Sequence, residues 1–172
     1  MVIVYKCRIC EEGFIGGEKP THCPFCGAHI ENMVLAKDYV KTEVIELTKQ
    51  TGKNVEAAIG IELSNAEFYF CAAAKSDNIA DATMFKRLAK IEAEHASTLA
   101  KIIEAKNPKI SRKKDICGNN KHNLKESHER EEKATARYAQ FLEETCEPRA
   151  IEVFKALIEI EKDHISLTEG RF

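Results

Sequence analysis

From Asn54 to the end of the chain, apolar residues return at intervals of three and four, the spacing that keeps one face of a helix against a core. The pattern predicts helices over residues 54–75, 81–106, 120–145 and 148–169, and nothing in this stretch alternates as a strand would. Residues 33–50, MVLAKDYVKTEVIELTKQ, mix charges with Val40, Val44, Ile45 and Leu47 and predict a short linker helix. The second and third long helices are separated by NPKISRKKDICGNN, a basic connection with Pro, Gly and Asn. Two helix pairs joined by a long crossover describe a mainly α protein built on a four-helix bundle.

The buried stripes of that bundle carry an anomaly. In MFKRLAKIEAEH, residues 84–95, the apolar face runs through Phe85, Leu88 and Ile91 and then continues as Glu92 and His95. The fourth helix echoes it as VFKALIEIEKDH, placing Glu161 and His164 in the same way. The first stripe reads Val55, Ala58, Ile59, Glu62, Asn65, Ala66, Tyr69, and the third Leu124, Glu131, Ala134, Tyr138, Phe141. One offset of 69 residues (131 − 62) relates Glu62 to Glu131, Tyr69 to Tyr138, Glu92 to Glu161 and His95 to His164. Chance matches would not hold one register through both helices of each pair.

Residues at i and i+3 share a helix face, so each Glu-x-x-His aims a carboxylate and an imidazole at one point. Left alone, four buried carboxylates would raise their own pKa values or prevent folding. Two divalent cations balance Glu62, Glu92, Glu131 and Glu161, with His95 and His164 binding as neutral imidazoles. This ligand mixture suits iron or manganese better than structural zinc. A competing register on the third helix would use Glu126 and Glu129, but these fall with Arg130, Lys133 and Arg137 on the charged, outward side. His128 lies one turn before Glu131 and is open to three roles: a further ligand, a donor to a ligand, or a packed histidine. Tyr69 and Tyr138 either hydrogen-bond the metal-facing groups or serve as amphipathic core residues.

Ahead of the bundle, YKCRICEEGFIGGEKPTHCPFCGAH sets Cys7, Cys10, Cys23 and Cys26 as two Cys-x-x-Cys pairs, the spacing of a tetrahedral all-sulfur site for iron or zinc. Residues 1–35 are too few to build a stable core unaided, so the metal would fold this module as well as use it. Residues 36–53 form the linker and 54–172 the bundle. Cys71, Cys117 and Cys146 are scattered and read as free thiols. Charged residues make up 31% of the chain, yet the net charge is only −2, so the helix faces are mixed and solvated, which argues against a nucleic-acid or membrane partner. With no apolar run near the ~20 residues of a membrane span, the expectation is a soluble cytoplasmic protein.

Tyr5-Lys6-Cys7, Phe14, Gly16, Pro20 and Cys23-Pro24-Phe25-Cys26-Gly27 together resemble rubredoxin, a one-electron iron carrier. With the repeated Glu and Glu-x-x-His set, the chain as a whole resembles a rubrerythrin: a rubredoxin-like module joined to a ferritin-like diiron bundle, in the order of the reverse rubrerythrins. That resemblance implies two iron ions in the bundle and one iron in the four-cysteine site. It implies reduction of hydrogen peroxide to water in oxidative-stress defence, with electrons from rubredoxin or an NAD(P)H-dependent reductase, and a homodimer in which one chain's module approaches the other's bundle. Dioxygen is the other candidate oxidant. A ferritin-like ferroxidase carrying a structural zinc ribbon is the alternative. The chain departs from the family at Ala134, where a rubrerythrin usually carries an extra metal-facing glutamate.

Overall fold

The computed structural model describes residues 1–172. Its N-terminal module is a three-stranded antiparallel sheet in the order β2-β1-β3, made of β1 (Ile3–Cys7), β2 (Gly13–Gly16) and β3 (Met33–Leu35). β1 pairs with β2 through Tyr5↔Phe14 and with β3 through Cys7↔Met33. Four long helices follow: α1 (Lys49–Lys75), α2 (Ile79–Ile102), α3 (Asn120–Glu143) and α4 (Pro148–Thr168). α1 packs chiefly on α2 and α3 on α4, so the two sequence halves are two helical hairpins closed face to face.

The linker helix expected over 33–50 gives way to other structure. Met33–Leu35 instead satisfies the free edge of β1, with Met33 fully buried beneath it. Ala36–Asp38 makes one 3-10 turn, and residues 39–48 run without regular structure. α1 therefore starts five residues before the expected position, because Thr48 caps it: its side chain accepts from Thr51 N at 3.2 Å. Asn78 and Asn119 cap α2 and α3 in the same manner, while Pro148 occupies the first turn of α4, where its missing N–H costs nothing. α2 stops at Ile102 rather than 106 because Glu104 takes a left-handed φ of 52° and Ala105 N turns back to Ala100 O at 2.9 Å.

The apolar interior comes in two pieces. A small cluster around Phe68, Tyr69, Phe85, Leu88 and Leu124 fills one end of the bundle. A larger one at the other end joins Val55, Leu99, Ile102, Phe141, Phe154 and Leu157 to Tyr5, Ile9, Met33 and the four cysteines of the module. The polar stripe residues lie between these clusters. Module and bundle thus share one core, and the module's backbone is held by side chains of the bundle. Arg149, itself buried, donates from Nη1 to Arg8 O at 2.8 Å and from Nη2 to Ile9 O, and Lys101 Nζ donates to Cys10 O at 2.9 Å.

Candidate metal centres

The two Cys-x-x-Cys pairs form matching knuckles. After each pair the chain must turn back with a left-handed residue, Glu11 at φ 70° and Gly27 at φ 81°. Glu11 N then reaches Cys7 O at 3.1 Å and Gly27 N reaches Cys23 O at 3.0 Å. The sulfurs converge, with Cys7–Cys26 and Cys10–Cys23 each at 3.7 Å, and all four cysteines are buried. Hydrogen bonding with Cys10 draws the Cys23 thiol far below its usual range, and the same contact pushes Cys10 far above it. Four thiols packed this closely cannot all ionise together unless a cation neutralises them. A tetrahedral metal fits this donor set; thiolates take iron and zinc alike.

In the bundle, Glu62, Glu92, His95, Glu131 and Glu161 are fully or almost fully buried, and His164 is 4% exposed. They fall into two overlapping quartets of convergent ligand atoms: Glu62, Glu92, His95, Glu161, and Glu92, Glu131, Glu161, His164. His95 Nδ1 lies 3.3 Å from Glu62, 3.4 Å from Glu92 and 3.4 Å from Glu161. His164 Nδ1 lies 3.2 Å from Glu92, 3.7 Å from Glu131 and 2.7 Å from Glu161. Glu92 and Glu161 belong to both quartets and each turns one oxygen to each histidine. Glu62 and Glu131 belong to one quartet apiece. Two shared carboxylates, two terminal ones and two imidazoles are the donor set of a carboxylate-bridged pair of cations.

The protein's own groups leave this cluster unbalanced. Both oxygens of Glu92 and of Glu161, one of Glu131, and His164 Nδ1 are buried without a hydrogen-bond partner. Burial raises Glu92 well above the carboxylate range, and the charges of Glu161, Glu131 and Glu62 raise it further. Burial and the charge of Glu161 lift Glu131 to about 7. Burial would also raise Glu161, but His164 and His95 overrule it and hold Glu161 at about 2. Burial opposes charge on both imidazoles, yet Glu62 beside His95 and Glu161 beside His164 drive them well above their ordinary value. Bound cations would take the place of those protons and satisfy the orphaned oxygens, so the residues fit a dinuclear site.

The tyrosines cross between hairpins. Tyr138 of α3 donates to Glu62 Oε1 of α1 at 2.6 Å, and Tyr69 of α1 donates to Glu131 Oε1 of α3. Ser127 lies 2.9 Å from the Tyr69 hydroxyl. Burial and the adjacent carboxylates push both phenols well above the ordinary tyrosine range, so they stay protonated and act as donors. One contact leaves the bundle altogether: His95 Nε2 donates to Cys26 O at 2.7 Å. With Nε2 keeping its proton on that bond, Nδ1 is the nitrogen that would face a cation among the glutamates.

Other expected positions fall elsewhere. His128 stands apart from both quartets: Nδ1 meets Thr168 Oγ1 at 3.1 Å and the ring packs on Phe172, so it is a packed histidine near the chain's end. Glu126 pairs with Arg130 at 2.9 Å and Glu129 with Lys125 at 3.7 Å, on the outer side of α3. Ala134 is buried and brings no carboxylate to the site, and Asn65, its counterpart on α1, is buried with Nδ2 unpartnered. Both line a cavity of about 450 Å³ with Arg130, Lys133 and Arg137. The expectation of free thiols at Cys71 and Cys117 is overturned. They form a disulfide tying α1 to the crossover, with Cα atoms 5.9 Å apart, and only Cys146 stays outside both the bridge and the four-cysteine site.

A ferritin-like bundle holding a buried glutamate–histidine pair of quartets, with a rubredoxin-like four-cysteine module before it, fits the class of metal-binding proteins that join these two parts. The rubrerythrin family model matches residues 53–169, most of the chain, and the chain belongs to the rubrerythrin family. It is 30% identical over 112 residues to reverse rubrerythrin-1 of Clostridium acetobutylicum, a match covering 58% of this chain and 61% of that relative. This chain thus matches about three fifths of that relative's length. A four-cysteine module placed ahead of the bundle fits the reverse order. No helix is long and apolar enough to cross a membrane.

Proposed function

We propose that the protein is a peroxidase that reduces hydrogen peroxide to water, with Glu62, Glu92, His95, Glu131, Glu161 and His164 holding two iron ions and Cys7, Cys10, Cys23 and Cys26 holding one. When bound, a ferrous pair supplies the two electrons that cleaving the O–O bond requires, and a four-thiolate iron supplies electrons singly to restore it. The observation that carries this reading is the hydrogen bond from His95 to Cys26 O, which couples a ligand of one centre to the backbone of the other within a single chain.

The chain's own residues set the conditions. The Tyr138 hydroxyl oxygen lies 2.6 Å from Glu62 Oε1 and the Tyr69 hydroxyl donates to Glu131, so the two phenols fix these carboxylates from opposite hairpins. Apolar clusters above and below keep bulk water from the polar layer. The reaction consumes two protons and two electrons per peroxide, so an outside donor is needed; a rubredoxin or an NAD(P)H-dependent reductase is the expected class. The chain's module sits against its own bundle, so this route needs no exchange of modules between the two chains of a homodimer.

Metal analysis with absorption spectra of the reduced and oxidised protein tests the reading. A thiolate–iron chromophore that bleaches on reduction and returns on adding peroxide is expected. Colourless zinc in the four-cysteine site would overturn the electron route and favour the ferroxidase. Glu92→Ala or His164→Ala should lower bundle metal while leaving the four-cysteine site loaded; full bundle occupancy in either variant would refute the ligand assignment.

A further inference from the structure

Beside the four-cysteine knuckle, two imidazoles and a carboxylate converge at the seam between module and bundle, outside both centres. His29 Nε2 lies 2.7 Å from Asp163 Oδ2, and His22 Nε2 lies 3.5 Å from the same oxygen. The two rings meet edge to face with centroids 5.0 Å apart, held there by the backbone bridge His22↔His29 that closes the second knuckle. Donor atoms of a tetrahedral site with bonds of about 2.0–2.1 Å lie roughly 3.3 Å apart, so a small opening of the His29–Asp163 contact makes room for an ion.

The outward nitrogens match this arrangement. His22 Nδ1 lies 3.1 Å from Thr21 Oγ1, and His29 Nδ1 lies 3.8 Å from Glu159 Oε2. His29 Nε2 donates to Asp163, and a cation would take the place of that proton; the Thr21 hydroxyl at His22 Nδ1 and the Glu159 carboxylate near His29 Nδ1 are acceptors toward which the imidazole protons would move when both Nε2 atoms bind a metal. A salt-bridged pair that served docking alone would need one imidazole, not two aimed at one oxygen.

We propose that His22, His29 and Asp163 form a third, exchangeable site for a divalent first-row transition ion, with Thr21 and Glu159 orienting the imidazoles. Two neutral imidazoles and one carboxylate suit zinc, ferrous or manganous ions and leave a coordination position to water. His22 is 52% exposed and Asp163 48%, so ions enter and leave without any opening of the fold. The site borders a cleft of about 420 Å³ that His164 also lines.

The test is a calorimetric titration of Zn²⁺ into the holoprotein with both resident centres already loaded. One further equivalent per chain is expected, weakened at least tenfold in His22→Gln and in Asp163→Asn, and up to tenfold in Thr21→Val. Metal content of the four-cysteine and bundle sites is measured in each variant. His22, half exposed, is the substitution that leaves docking intact if Asp163→Asn disturbs it. No further equivalent in the wild type, or one bound equally well by His22→Gln, overturns the proposal and leaves the cluster a docking contact.

Discussion

Glu62 and Glu131 show how much a single contact can matter in this interior. Each is wholly buried, and each takes a phenol from the other hairpin. Tyr138→Phe removes the donor to Glu62 without changing the ligand set, so holoprotein stability should fall by about 1–3 kcal/mol while bundle metal is retained; chemical denaturation with metal analysis checks both. Loss of metal in that variant would mean the phenol does more than hold a carboxylate. Much of this site was readable, because Glu-x-x-His interrupts an apolar stripe twice in one register, and burial of charge there demands a cation. The hydrogen bond from His95 to Cys26 was not readable. Its acceptor is a backbone carbonyl, which leaves no mark in the sequence, and the partners are 69 residues apart. Nor could His22 and His29 be linked to Asp163 before the module was seated on α4.

Between elements, short polar connections decide where helices begin. Glu147, in the turn from α3 to α4, accepts from Thr48 N at 2.5 Å, Thr51 Oγ1 at 2.6 Å and Cys146 N at 3.1 Å, so it fastens the start of α1 to the far hairpin. Burial would raise its pKa, but these donors, Thr48 and Thr51 foremost, outweigh that and lower it to about 2. A folded value below the unfolded one adds stability that is full above the usual glutamate range and vanishes as pH falls from about 4.5 toward 2. Glu147→Gln should therefore cost stability at pH 7, and its deficit against the wild type should shrink below pH 4; denaturant midpoints at several pH values would show a constant deficit if the idea is wrong. The crossover is anchored differently, by Cys71–Cys117 across 46 residues and by Lys113 to Glu67 at 2.8 Å. Cys117→Ser should lower stability by about 2–4 kcal/mol, read as a shift in melting temperature that a reducing agent reproduces in the wild type. Helical periodicity made the four helices legible, whereas the crossover has no period to follow and its disulfide could not be paired.

At the scale of the molecule, module and bundle form one object. The sequence divides into a module over residues 1–35 and a bundle over 54–172, joined by the segment 36–53. The structure instead runs one apolar cluster through both. The seam is tight at Gly27, where an added Cβ would stand 3.2 Å from Ile160 Cγ2 at a φ of 81°. Gly27→Ala should cost about 1–2 kcal/mol through the left-handed backbone alone. It should also loosen the seam, seen as faster hydrogen exchange at the second knuckle and at His95; unchanged exchange there would separate the module from the bundle after all. The extent of this seam was illegible because its contacts join buried side chains to main-chain carbonyls far away in sequence.

The crossed tyrosines have a consequence for symmetry. A Glu62–Tyr69 hairpin paired with a copy of itself would close the same six-ligand cavity by twofold rotation, each phenol serving the opposite carboxylate. The two halves of this chain therefore carry the symmetry of a self-associating hairpin within one polypeptide. Their differences mark where that symmetry is broken: Asn65 against Ala134 beside the site, and a module seated over His95 while His164 faces the open cleft.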